Sequence, residues 1–216
     1  MIESADLPPV PPSSRARWLA RLLRERLLGG AFRPGEWIRE VALREEFGVS
    51  NGPVREALAE LIADGLLERV PYRGVRLIAL DDRDIVELFQ LRSAMLELAA
   101  ELAARRRDPA AMARIPEILA YVDWSSQAPR LLTGDFTTWL AEASGSTRLV
   151  RAWHDLFMQT QLYVSESRAS KRFGDIVVQI KALIGAIADG DAPRAREHAR
   201  AFTQAQVAAL GLAMDV

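Results

Sequence analysis

The sequence predicts a mainly α-helical protein in two parts, a small α/β head and an all-helical body of about six helices. Three observations lead there. Apolar residues recur at helical spacing in the segments 14–28 and 51–64, the strand-like stretches are confined to Leu66–Leu80, and nothing after residue 80 reads as a strand. Half of the 216 residues are hydrophobic, so a sizeable core can be buried.

Composition removes several classes of function. Lysine and arginine number 28 against 29 acidic residues, so binding to nucleic acid by bulk charge alone is excluded. A charged fraction of 26% is ordinary and excludes global disorder. There is no cysteine, hence no disulfide, thiolate catalysis or cysteine-held metal. His154 and His198 alone give little material for a histidine metal site. No apolar run approaches 18 residues. Residues 1–13, acidic and carrying Pro8, Pro9, Pro11 and Pro12, read as a flexible tail and not as a signal peptide, and the cytoplasm is the expected location.

The head is expected over 14–80. Ser14 can cap a first helix over 14–28, with Trp18, Leu22, Leu23 and Leu27 on one face and Gly29-Gly30 as its stop. Phe32–Glu36 is a turn, and a short helix over about 39–47 ends at Gly48. Val49 is the buried residue of a tight turn. Ser50 then caps a helix over about 51–64, whose stripe is Val54, Leu58, Leu61 and Ile62. Leu66–Val70 and Val75–Leu80 form a hairpin around Pro71-Tyr72-Arg73-Gly74. Two helices joined by a glycine turn and followed by a hairpin make a winged helix-turn-helix.

The body is expected over 81–216. Asp82 caps a long helix to about Arg107, and Asp108-Pro109 starts a second, bent by Pro116 and running to about Tyr121. Helices at about 129–143, 147–168, 174–189 and 192–212 complete it. The head carries 12 arginines and 9 acids and the body 16 basic and 18 acidic residues, so the head is mildly basic.

Pro34-Gly35-Glu36, Glu40-Val41-Ala42-Leu43, Gly48-Val49-Ser50, Gly52-Pro53-Val54-Arg55-Glu56-Ala57-Leu58, Asp64-Gly65-Leu66-Leu67 and Arg73-Gly74-Val75 follow in order. This series resembles the GntR family of bacterial transcription regulators. The body, with its Ala143-Ser144-Gly145-Ser146 and Gly190-Asp191 turns, resembles the FCD ligand domain of the FadR subfamily, and its six helices look like the VanR branch.

In a helix-turn-helix the second helix offers its N-terminal residues to base edges in the major groove. Ser50, Asn51, Gly52 and Arg55 occupy that end here, and the helix N-terminus can receive a phosphate. For Arg55 the alternative is a solvated ion pair with Glu56 or Glu60. Arg73 and Gly74 at the hairpin tip suit a minor-groove contact, or form an ordinary exposed turn. Arg39 and Arg44 suit phosphate contacts, while Arg15 and Arg17 add further ones or simply start a helix. The GntR resemblance implies arginine where this chain has Asn51. Asparagine pairs with adenine where arginine pairs with guanine, unless Asn51 only caps the helix.

The FCD resemblance implies a divalent metal held by one aspartate and three histidines. Those positions fall here at Thr133, Thr137, Ile180 and Phe202, a poor ligand set, so no metal and no other cofactor is expected. Asp135 stands two residues from the expected carboxylate and so points about 200° round the helix. The same resemblance puts Arg92 toward a ligand, where it can pair an effector carboxylate or sit in an ordinary ion pair. The glutamate expected four residues later is Leu96. Trp139, Phe136 and Tyr163 are candidate walls beside Ile180 and Phe202. The other tryptophans, Trp18, Trp37, Trp124 and Trp153, are core candidates.

The implied function is a sequence-specific DNA-binding regulator, a repressor, binding double-stranded operator DNA as a homodimer under control of a small-molecule effector. Effector binding would act through a hinge at Ala79–Asp82. In the alternative, side chains fill the pocket and the body serves only dimerisation or protein interaction. An enzyme is disfavoured by the lack of cysteine, of a GxSxG pattern, of a phosphate loop and of a two-histidine ligand pair.

Overall fold

The computed structural model describes residues 12–125, 132–167 and 173–214. The chain separates into two compact units, one through Ala79 and one from Leu80. The first contains α1 (Pro12–Leu28), β1 (Trp37–Ile38), α2 (Glu40–Phe47), α3 (Asn51–Ala63), β2 (Leu67–Val70) and β3 (Gly74–Leu77).

Helix α1 starts two residues before Ser14, which therefore lies inside the helix and does not cap it. Proline has no N–H to lose in a first turn, so Pro12 is accommodated there. The buried stripe of α1 is Ala16, Leu19, Ala20, Leu23 and Leu27, packed on α3. Trp18 and Leu22, expected in that stripe, are only half-buried. Trp18 instead meets Phe47 of α2 edge-on at 5.8 Å. Arg24 fastens α1 to the end of α3, its guanidinium donating to Glu60 at 2.8 Å and to Asp64 at 2.5 Å.

Between α2 and α3 the chain turns at Gly48, whose φ of 60° is left-handed and whose N–H donates to the Arg44 carbonyl. A side chain there would meet the steric cost of that region, which glycine escapes. Val49 is half-buried, not buried as expected. The buried face of α3 is Val54, Ala57, Leu58 and Leu61, with Ile62 at its margin. The sheet has three antiparallel strands in the order β1-β3-β2. Sequence periodicity misses β1 because two residues cannot display an alternation.

The second unit contains α4 (Asp82–Arg106), α5 (Pro109–Ala113), α6 (Ile115–Ser125), α7 (Leu132–Ala143), α8 (Thr147–Ser167), α9 (Phe173–Asp189) and α10 (Ala192–Ala209). The cap of α4 is Asp81, whose carboxylate accepts from the Asp84 N–H at 2.8 Å, and Asp82 is the first helical residue. Asp108 caps α5 as expected, accepting from the Ala110 and Ala111 N–H groups at 3.1 Å. The single helix anticipated over 109–121 is two, α5 and α6, parted at Arg114. Pro116 has no N–H for the Met112 carbonyl and its ring crowds that carbonyl, which ends α5 where a bend was expected. The described body therefore shows seven helical segments against about six in the sequence reading. Small residues bring α4 and α10 close together: Ala99, Ala100, Ala103 and Ala104 on one, Ala192, Ala195 and Ala199 on the other.

Candidate nucleic-acid interface and effector site

The entry to α3 is open. Ser50 precedes the helix in extended backbone and makes no side-chain capping bond. Asn51 is exposed in the first turn, and Gly52, Arg55 and Glu56 are exposed on the side away from the buried stripe. The Arg55 side chain is 70% exposed, and its Nε stands 3.4 Å from Glu40 of α2. The expected alternatives, Glu56 and Glu60, are not its partner, and Glu60 is taken by Arg24. An exposed pair at the limit of hydrogen-bond distance stabilises by at most about 1 kcal/mol, so Arg55 can leave it for another anion.

On α2, Arg39 is the exposed N-cap residue. Arg44 is half-buried in the last turn, with its Nε shielded from solvent and lacking an acceptor among the described residues. Arg15 and Arg17 are exposed on α1.

The wing is organised by a residue that the sequence reading assigned to the core. Trp37 in β1 is not buried but 36% exposed, opposite Arg76 in the sheet register. The guanidinium of Arg73 lies 5.5 Å from the centre of its ring and that of Arg76 lies 5.9 Å away. The indole is a platform that holds two cations at one edge of the sheet. At the tip Tyr72 has a left-handed φ of 63°, rare for a bulky residue, and its ring stands fully in solvent. Gly74 follows with φ 117°. Trp37 and Tyr72 are the residues that sequence reasoning missed here. The apolar-polar alternation of the hairpin placed neither of them.

Inside the body, Arg92 on α4 is buried with 1% exposure. Its Nη1 donates to the side-chain carbonyl of Gln206 on α10. Three rings surround the guanidinium, Phe89 at 5.5 Å, Trp153 at 5.5 Å and Phe202 at 5.4 Å. Thr137, Thr160, Gln161, Thr203 and Gln206 are buried polar residues of the same bundle. Gln206 lies one turn beyond Phe202 on α10, so helical spacing could have pointed to it.

The other expected effector residues are placed as follows. Thr137, Ile180 and Phe202 are fully buried, and Phe136 meets Phe202 edge-on at 5.8 Å. Leu96 is core. Trp139 is buried, but its indole N–H donates to the Ala111 carbonyl at 3.1 Å, which fixes it against α5. Tyr163 is buried, and its hydroxyl accepts from the Leu80 N–H at 2.9 Å. The side chains of Thr133, Asp135, Trp124 and His154 lie outside the described residues. His198 is half-buried, 3.1 Å from Gln179. Among the described residues no three histidine, cysteine, aspartate or glutamate side chains gather as a metal site.

A buried carboxylate lies elsewhere, on the α4–α10 seam. Glu97 accepts from Arg200 at 2.8 Å, from Arg196 at 3.2 Å and from Ser93 at 3.1 Å. Burial by itself would raise its pKa. The hydrogen bonds from Arg200, Arg196 and Ser93 outweigh that and hold it below the usual carboxylate range.

Comparison with known proteins joins the two halves. Residues 16–77 match the model of bacterial regulatory proteins of the gntR family, and residues 87–205 match the FCD domain. The chain belongs to the GntR family. The "Uncharacterized HTH-type transcriptional regulator YdhC" of Bacillus subtilis is 37% identical over 86 residues, 40% of this chain and 38% of its own length. That alignment spans about four tenths of the relative. The "Probable D-xylose utilization operon transcriptional repressor" of Paenarthrobacter nicotinovorans is 29% identical over 169 residues, 76% of this chain and 74% of its own. Among solved structures, a GntR protein from Rhodococcus sp. RHA1 superposes with a TM-score of 0.76 at 26% identity, covering 92% of this chain and 98% of its own. McbR of E. coli has the same fold, with a TM-score of 0.77 at 20% identity over 91% of this chain and 97% of its own. No described helix of this GntR protein is long and apolar enough to cross a membrane.

Proposed function

We propose that this protein is a transcriptional repressor that binds a two-fold operator as a homodimer and is controlled by a small carboxylate effector. The observation that carries the DNA reading is the open first turn of α3. Ser50, Asn51, Gly52 and Arg55 stand exposed at the N-terminal end of the helix, where a recognition helix meets base edges. In this reading Arg55 and Asn51 read bases, and Arg39 and Arg44 contact phosphates from α2. Arg73 and Gly74 meet the minor groove, with Trp37 orienting the arginine.

The effector reading rests on Arg92. A guanidinium faced by three aromatic rings and one amide, inside a bundle with several buried hydroxyls, suits an anionic group attached to an apolar body. Thr137 and Thr160 supply neutral hydroxyls, and Ile180 and Phe202 supply apolar wall.

Selection of bound sequences from random double-stranded DNA tests the first part. The expected result is a two-fold consensus whose binding weakens steeply with salt, since several phosphates release counterions. Recovery of no consensus would refute it. A melting screen against small mono- and dicarboxylates tests the second. A ligand present at 100 times its dissociation constant stabilises the folded state by about 2.7 kcal/mol. An Arg92→Met variant that keeps the same response would remove Arg92 from the site.

A further inference from the structure

We infer that Tyr72 is a wedge, whose ring enters the minor groove and leans between two bases at a flexible step, so that the wing reads how easily the duplex deforms. The inference rests on the minor-groove reading of the wing above and gives that contact a residue and a sequence preference. Two independent observations single out this side chain. The first is its backbone. The Arg73 N–H donates to the Val70 carbonyl at 3.1 Å, closing a turn whose central residues are Pro71 and Tyr72. Proline presets the first of them. The second has a φ of 63°, a left-handed value at which turns ordinarily carry glycine or asparagine. A bulky residue is strained there, and glycine would remove the strain. The second observation is exposure. Tyr72 is 108% exposed, more than any other large apolar side chain among the described residues. Its ring therefore adds no packing to the head that could offset the strain. A conformational cost with no return inside the chain points to a partner outside it.

Charge names the partner. Between Leu67 and Leu77 three arginines, Arg69, Arg73 and Arg76, stand against one glutamate, Glu68. Glu68 accepts from Arg76 at 2.8 Å. Arg69 and Arg73, before and after the ring in sequence, are exposed. Such a tip is drawn to a polyanion, and a narrow minor groove concentrates negative potential. The Arg73 guanidinium is held 5.5 Å from the centre of the Trp37 ring, so Tyr72 is the side chain that projects freely from the turn. The face of an aromatic ring stacks on any base. A wedge driven in from the minor groove must first unstack two bases, which costs least at TA and CA/TG steps. The preference it creates is for deformability, at a step that α3 does not read.

Selection of bound duplexes from random DNA by the full-length parent and by Tyr72→Gly is the test. The parent consensus should hold a TA or CA/TG step at a fixed distance from the bases read by α3. Tyr72→Gly should keep those bases, lose the step, and bind the parent's consensus at least about ten-fold more weakly, as for the loss of one base–aromatic stack. Its melting temperature should rise, because glycine takes the left-handed turn without strain. Tyr72→Phe should keep the step, since the wedge uses the ring and not the hydroxyl. A fluorescent adenine analogue placed at the step should brighten when the parent binds and stay quenched with Tyr72→Gly. A parent that yields no consensus would overturn the DNA reading and the wedge together. A parent consensus that Tyr72→Gly reproduces with equal affinity would overturn the wedge alone. So would an affinity loss equal on every duplex, or an adenine analogue that stays quenched with the parent. A lower melting temperature for Tyr72→Gly would mean that the ring packs within the head, which also overturns it.

Discussion

The backbone N–H of Leu80 donates to the hydroxyl of Tyr163 at 2.9 Å, joining the first residue of the body to the C-terminal part of α8, 83 positions along the chain. Helix α8 also brings Trp153 against Arg92. The hydroxyl that ties down the start of the body and a ring of the arginine cage thus share one helix. Tyr163→Phe deletes the acceptor and leaves the ring. It should lower the body's stability by about 1 kcal/mol in urea denaturation, the usual effect of one part-buried hydrogen bond. An unchanged midpoint would show that water replaces the hydroxyl at no cost.

Arg55→Ala should abolish operator discrimination and spare the fold. The side chain is 70% exposed and its contact to Glu40 is long. A base-reading arginine is worth about 1–3 kcal/mol. Fluorescence anisotropy with specific and scrambled duplexes should show the specific complex weakened toward the scrambled one. Equal loss on both duplexes would make Arg55 a phosphate contact.

Asn51→Arg should move one base per half-site from adenine toward guanine. Asn51 is exposed in the first turn of α3, and Ser50 beside it makes no capping bond. Asparagine matches the adenine donor–acceptor pair and arginine the two guanine acceptors. An unchanged consensus in a binding selection would reduce Asn51 to a helix-start residue.

The contribution of Glu97 should depend on pH in a definite direction. Its folded pKa lies below the ordinary value of 4.5, so the folded state favours the ionised form. The stabilisation is present above that ordinary value and is lost as pH falls through the lowered one. Glu97→Gln should therefore cost about 1–3 kcal/mol near pH 7, with Arg196 and Arg200 partly exposed and screened. The gap from the parent should narrow as pH falls below the ordinary carboxylate value and close once pH has passed through the lowered one. A gap that stays constant into acid would mean that Glu97 acts through packing.

Zinc or nickel should leave the melting temperature unchanged. Thr137, Ile180 and Phe202 are buried side chains where the resemblance expects imidazoles, and two of them have no lone pair to give. A saturating ion would add about 2.7 kcal/mol at 100 times its dissociation constant, which a melt resolves readily. One metal per chain by elemental analysis would overturn this.

Local chemistry made much of the molecule legible from the chain alone. Helix periods, the Asp108-Pro109 start, the Gly48 turn and the hairpin around residues 71–74 depend on neighbours a few residues apart. They announce a winged head, a helical body and the exposed end of α3 without reference to anything distant. What the tertiary structure decided depends on partners far apart in sequence. Trp37 is a two-residue strand only because β3 pairs with it, and it leaves the core because Arg73 and Arg76 lie over its ring. Arg24 finds Glu60 and Asp64 about 40 positions away. The cage of Arg92 draws Phe89 from its own helix, Trp153 from α8, and Phe202 and Gln206 from α10. Leu91 and Leu98 fit a core stripe as well as a surface one until α10 takes the other side of α4. A period states that a helix has an apolar side, but only packing against other elements settles which apolar residues that side leaves in water.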